Sequence, residues 1–157
     1  MNTYVSSALG ILSLRVETNF LRELHLGDAP KTWEPAPIPP EIRHWLDVYF
    51  SGKIPPSART LPLAPEGTAF QKLIWEILLD IPYGQVVTYG SVAKEAARRL
   101  GRSSMSSQAV GQAVGANPIP LLIPCHRVLA SGGKIGGFSC GIALKKKLLA
   151  LEKINLF

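Results

Sequence analysis

The sequence predicts an α+β fold built in two parts, and three features predict it. Apolar and polar residues alternate through the N-terminal region, which is the period of half-buried strands. A Pro-rich stretch between Gly52 and Gly67 then interrupts regular structure. Beyond it, apolar residues recur at helical spacing. The chain has 157 residues, 46% apolar and 18% charged. That is one ordinary domain or two small ones, with enough apolar surface for a core, and it excludes intrinsic disorder. No apolar run approaches the ~20 residues of a membrane-spanning helix.

In the first part, Leu12, Leu14 and Val16 alternate with Ser13, Arg15 and Glu17, so Ile11–Glu17 reads as a strand. Phe20–Leu26 is its expected hairpin partner, with Thr18 and Asn19 in the turn. After the prolines from Pro35 to Pro40, a helix is expected to run to about Ser51, since Pro is tolerated in a first turn. Its residues Ile42, Trp45, Leu46, Tyr49 and Phe50 form a continuous apolar stripe, and Gly52 is a natural stop. The segment Gly52–Gly67 reads as an extended linker. Residues 1–64, with this linker, form the expected support domain, and residues 65–157 the second domain.

A helix starts sharply after Gly67. Thr68 with Gln71 makes a capping box, and Phe70, Leu73, Ile74, Ile77 and Leu78 are its expected buried stripe. Pro82-Tyr83-Gly84 is a turn, and a second helix spans about Gly90 to Leu100 over Val92, Ala93, Ala96 and Ala97. A serine-rich connector, Arg102–Ser106, leads to a third helix from about Ser107 to Ala116. Helix, turn, helix is the outline of a DNA-binding module. The charge agrees. Up to Ala64 there are six basic and six acidic residues; from Pro65 onward there are eleven and five. A surplus of that kind suits a polyanion, and equally a merely soluble basic face.

The third helix carries almost no long side chains from Ala109 to Ala116. A helix that reads base edges in the major groove usually needs them. Small residues permit close approach, either of a packed core helix or of a widened minor groove, and the residues alone leave both open.

Asn117-Pro118-Ile119-Pro120 ends that helix, because neither proline can continue it. An apolar run, Leu121-Leu122-Ile123, leads into Pro124-Cys125-His126-Arg127-Val128 and then a Gly-rich loop, Gly132–Gly141. A lone Cys-His pair is weak, since neighbouring side chains diverge. A proline-fixed turn, an adjacent Arg and glycines that let backbone approach a ligand make it stronger. Two cysteines, Cys125 and Cys140, are too few for a disulfide scaffold or a Cys-based zinc site. The N-terminal residues lack a charged n-region and alternate as a strand does, so a cytoplasmic, reduced protein is expected.

From about Gly67 to Glu152, and most specifically in NPIPLLIPCHRV (117–128), the chain resembles the O6-alkylguanine-DNA alkyltransferases, the methylated-DNA–protein-cysteine methyltransferases. The resemblance implies a small ribonuclease H-like N-terminal domain and a helical, winged-helix-like C-terminal domain with a helix-turn-helix. It implies stoichiometric, self-inactivating transfer of the alkyl group of O6-alkylguanine, and less well O4-alkylthymine, to Cys125. His126 would be the base that makes the thiolate, and Glu152, in the C-terminal helix, would orient it. Tyr89, on a short strand before the second helix, would hydrogen-bond guanine N3. The carbonyls of Cys125 and Val128 would accept from the exocyclic amine, and the Ser139 N–H would donate to O6.

The same resemblance makes Asn117 a hinge and turns the small-residue helix, with Ala109 and Gly111, toward the minor groove of double-stranded DNA, the base being flipped out. Gln108 stands where the family usually has an intruding arginine, and the connector from Gly101 to Ser106 is longer than usual. Arg102 is therefore a candidate phosphate contact or substitute wedge. Arg127 is a further candidate contact, Phe138 keeps an apolar wall, and Cys140 is either a small lining residue or a second reactive thiol near the pocket. Lys145-Lys146-Lys147 reads as a solvated helix face. No cofactor or metal is implied, the protein is expected to act as a monomer, and it would join the nucleoid when bound to DNA. The alternative is a non-catalytic alkyltransferase-like lesion-binding protein, a class that lacks the acceptor cysteine. A Cys-His hydrolase of unrelated fold would need turnover and no DNA-binding helix pair.

Overall fold

A computed structural model describes residues 2–136 and 141–154. The chain divides into two compact units, one ending at Glu66 and the other starting at Gly67. The class is α+β.

In the first unit the alternating N-terminal pattern resolves into two strands, β1 (Thr3–Ser6) and β2 (Gly10–Glu17), followed by β3 (Phe20–Leu26). They form an antiparallel sheet in the order β1-β2-β3, with Tyr4 opposite Leu12 and Leu14 opposite Leu24. Thr18 and Asn19 have φ of 49° and 67°, the left-handed pair that a two-residue hairpin turn with the strands' own twist requires. Leu12 and Leu14 are fully buried, and so are Ile42 and Leu46 on helix α1 (Pro40–Phe50). The Tyr4 hydroxyl donates to Asp47 on α1 at 2.8 Å.

The stretch read as a linker is not free. Leu63 bridges Leu21 in parallel, the Leu21 N–H donates to the Pro62 carbonyl at 2.9 Å, and the Ala64 N–H donates to the Leu21 carbonyl at 2.9 Å. An open β3 edge would leave backbone groups unpaired, and this segment covers it. The prolines kept it from reading as structure.

The second unit holds α2 (Ala69–Leu79), β4 (Val87–Thr88), α3 (Tyr89–Leu100), α4 (Ser107–Gly115), β5 (Val128–Leu129) and α5 (Ile142–Leu151). The capping box of Thr68 and Gln71 is present, with Thr68 N–H donating to Gln71 Oε1 at 2.9 Å. A second one, Thr88 with Ser91, starts α3. Gly101, at φ 67°, ends α3, and the Arg102 N–H closes back on the Ala97 carbonyl at 2.8 Å. On α2, Ile74, Ile77 and Leu78 are buried as expected, whereas Phe70 and Leu73 are only half-buried. Trp75 takes their place, and its Nε1–H donates to the Ala113 carbonyl of α4 at 2.9 Å.

Helix α4 buries one face of its small residues, as the packed-helix reading expects, and leaves the other open. Val110, Ala113 and Val114 are buried. Gln108, Gln112 and Gly115 are exposed, and Ala109 and Gly111 half-buried. Among the described residues, no helix is long and apolar enough to cross a membrane.

Candidate active site

The apolar run before Cys125 ends in two tight turns set by Pro124. With φ −80° and ψ 64°, this proline is the centre of an inverse γ-turn, closed by the Cys125 N–H on the Ile123 carbonyl at 2.7 Å. A one-turn 3-10 helix, Cys125–Arg127, follows at once. Leu121, buried nearby, has φ 77°, a strained backbone for a branched side chain and a conformation that clusters at functional sites. Asn117 holds the turn from inside. Its Nδ2 donates to the Ile123 carbonyl at 2.9 Å and its Oδ1 accepts the Ile119 N–H at 3.0 Å.

Strand β5 leaves this turn and pairs in parallel with β4, Val87 opposite Val128 and Thr88 opposite Leu129. That pairing carries Tyr89 to the site. Tyr89 is the first residue of α3, not a strand residue as expected. Burial, and then the charge of Cys125, raises its hydroxyl above the ordinary tyrosine range. At Gly136, φ 68°, a Cβ would lie 3.4 Å from the Tyr89 ring and 3.3 Å from the Ala130 nitrogen. Gly136 thus lies close against Tyr89, in a left-handed conformation that favours glycine.

Cys125, His126, Arg127 and Glu152 are all buried. The His126 Nε2 and Glu152 Oε2 lie 2.5 Å apart. Glu152 Oε1 accepts from Arg127 Nε at 2.7 Å and from the Gly84 N–H at 3.3 Å. Burial alone would raise the Glu152 carboxyl, but the bonds to His126 and Arg127 outweigh it and hold it at about 2. Burial pushes the His126 imidazole below its ordinary range, against the pull of Glu152. A neutral ring beside an ionised carboxylate carries its proton on Nε2, so Nδ1 presents a lone pair. That Nδ1 is buried and has no hydrogen-bond partner among the described residues.

Three expectations need correction. Arg127, expected as an outward contact, is buried. Its guanidinium is held inside by Glu152, by the Ile81 carbonyl at 2.8 Å and by the Tyr83 ring, 5.8 Å from the centroid. Glu152 follows the last turn of α5 as its C-cap. Lys145 is not solvated: it is fully buried, its Nζ donates to the Val128 carbonyl at 2.6 Å, and it lies 5.8 Å from the Tyr89 ring centroid. Burial pushes its ammonium down to about 8, while a thiolate at Cys125 pulls the other way. The Val128 carbonyl therefore already accepts one hydrogen bond, and a carbonyl has a second lone pair. Phe138, Ser139 and Cys140 lie outside the described residues. Gln108, Ala109 and Gly111 line the outer side of α4, and Arg102 is exposed on the connector. Among the described residues, no group of three or more His, Cys, Asp or Glu side chains is placed to hold a metal ion.

Comparison with known proteins decides the family. The family described as "6-O-methylguanine DNA methyltransferase, DNA binding domain" matches residues 69–154. This chain belongs to the methylated-DNA–protein-cysteine methyltransferase family. Its relatives of that name include one from Methanosarcina mazei, 38% identical over 87% of this chain and 83% of the relative. Another, from Methanosarcina barkeri, is 47% identical over 74% and 69%. Among solved structures, the Mycobacterium tuberculosis OGT in complex with DNA has a TM-score of 0.81 at 34% identity, covering 96% of this chain and 91% of that one. Within this methyltransferase family frame, Lys145 and Trp75 are the residues that sequence reasoning passed over. Lys145 had a signal: it lies three and four residues before the buried Leu148 and Leu149, on one helical stripe.

Proposed function

We propose that the protein repairs duplex DNA by taking the alkyl group from O6 of guanine, and less well from O4 of thymine, onto Cys125. The observation that carries this reading is the buried His126–Glu152 couple at 2.5 Å, with His126 directly following the cysteine in the turn. In this reading the unpartnered Nδ1 lone pair of His126 takes the thiol proton through a bridging water, and Glu152 stabilises the imidazolium that results. The Cys125 thiolate attacks the alkyl carbon. The sulfur–carbon bond forms as the carbon–O6 bond breaks, and the bonding electrons return to the purine. A proton from the site, the thiol's in the balance, lets guanine leave neutral, with the Tyr89 hydroxyl against its N3. The thioether has no labile centre, so each molecule reacts once.

The DNA face of this reading is the outer side of α4. A Cβ added at Gly111 or Gly115 would meet nothing within 4 Å. Neither glycine is required by packing inside the protein, although each costs a helix about 0.5–1 kcal/mol. Their smallness serves a surface from outside, for which the minor groove is the fitting partner. Gln108, exposed in the first turn of α4, fills the stack that the flipped base vacates, and Ala109 and Gly111 lie along the groove. Asn117 keeps α4 in register with the reactive turn. In the cell this is work on the nucleoid, in the cytoplasm.

Intact and peptide mass spectrometry after incubation with a duplex containing O6-methylguanine tests the reading. One methyl gained, confined to the peptide holding Cys125, with one protein consumed per lesion, is the expected result. Binding without mass gain would leave a lesion-binding protein and sink the transfer reading.

A further inference from the structure

The face of α3 beside the connector holds a cleft of about 460 Å³, distinct from the reactive turn. Ala93 and Ala97, one turn apart, give it a floor low enough for close approach. Lys94, Arg98 and Arg102 line it together with serines of the connector, and no carboxylate does. The cations are not equally spent. Arg98 gives Nε and one Nη to Glu95, at 3.0 and 2.6 Å, and Arg99 shares the same carboxylate. Lys94 and Arg102 have no side-chain ion pair or hydrogen bond among the described residues. Two uncommitted cations and several hydroxyl donors therefore converge on one groove.

We propose that this cleft takes a backbone phosphate of duplex DNA, on the stretch flanking the one that α4 faces. Ser107, the first residue of α4, also lines the cleft, so a duplex lying along α4 continues into it. Cations and hydroxyls grip phosphate and carry no base readout. The proposal rests on the reading that α4 meets DNA, and it settles Arg102 as part of a backbone grip instead of a wedge in the base stack. The connector supplies it: Gly101 turns the chain out of α3, and Arg102 and Met105 also line a neighbouring apolar groove with Phe70, Leu73 and Leu100.

Fluorescence anisotropy with an undamaged duplex, across a series of KCl concentrations, tests this. Neutralising a phosphate contact lowers the slope of log affinity against log salt by about 0.9. The double substitution Lys94→Gln/Arg102→Gln is expected to lower the slope by about that amount, equally for duplexes of unrelated sequence. Lys31→Gln, on the first unit, should leave it unchanged, and the thermal melts of all variants should overlay that of the wild type. An unchanged slope in the double variant overturns the proposal. So does loss of binding to a poly-glutamate peptide with the DNA slope intact, which would give the cleft to an acidic protein segment. Failure of the wild-type protein to gain a methyl group would sink the transfer reading and leave this slope measurement standing.

Discussion

Behind Cys125, the Glu152 carboxylate accepts from His126, Arg127 and Gly84, Arg127 also donates to the Ile81 carbonyl, and Lys145 donates to the Val128 carbonyl, all inside the protein. On the outer side of α4, Gln108 and Gln112 point to solvent, and two glycines have open space where a Cβ would stand. Asn117, just past the end of α4, hydrogen-bonds the turn that leads to Cys125 and so ties the two regions together. The difference separates two ways of building a function. Chemistry at a sulfur needs charges fixed in advance, so every partner is internal and little can move. Recognition of a large polymer needs surface that no internal partner claims.

The largest expected effect comes from breaking the internal region. Glu152→Gln keeps the shape and removes the charge, leaving the buried Arg127 guanidinium without its counter-ion. Breaking a buried pair on one side costs about 3–5 kcal/mol, which urea denaturation would read directly. The pH dependence gives the sign. Glu152 is held at about 2, below the ordinary 4.5, so its stabilisation is complete above 4.5 and is lost as pH falls toward 2. Glu152→Gln should flatten that acid limb. A cost below about 1 kcal/mol would mean that the couple is not a working charge pair.

A smaller effect is expected from Lys145→Met, which keeps length and removes the ammonium. The folded protein holds Lys145 near 8 while the unfolded chain keeps it at the ordinary 10.5. Between those values the unfolded state binds more protons, so stability rises with pH across that window. The rise should vanish in the variant. Alkylation of Cys125 by iodoacetamide should also slow in the variant at neutral pH, because the thiolate loses a nearby cation. An unaltered alkylation rate would make Lys145 a purely structural lysine.

Much of this was legible in the residues. The hairpin of Ile11–Leu26, the stop at Gly52 and the Thr68 capping box are local, and each is set by neighbours a few positions away. Cys125, His126 and Glu152 were legible only through resemblance, since the His–Glu contact spans 26 positions and no spacing rule reaches that far. What stayed hidden is what tertiary packing chooses. Three consecutive lysines look alike in the sequence, yet at 100° per residue only Lys145 turns onto the stripe of Leu148 and Leu149. Arg127 looked like a surface contact because its acceptors, Glu152 and the Ile81 carbonyl, are 25 and 46 positions away. Pro62–Ala64 read as linker because its pairing partner, Leu21, lies some forty residues back.

The smallest effect sharpens the comparison most, because it sets stability against function. Gly111→Ala and Gly115→Ala place a methyl group where nothing lies within 4 Å, on a helix that gains from every alanine. Each should therefore stabilise the protein by about 0.5–1 kcal/mol. If the outer face of α4 exists to approach DNA closely, the same methyl groups hold the duplex away, and affinity for it should fall as thermal stability rises. Paired melting and anisotropy measurements on the two variants read both signs at once. Variants that are more stable and bind DNA as well as the wild type would show that α4 is small for no external reason, and the distinction between the two regions would fail.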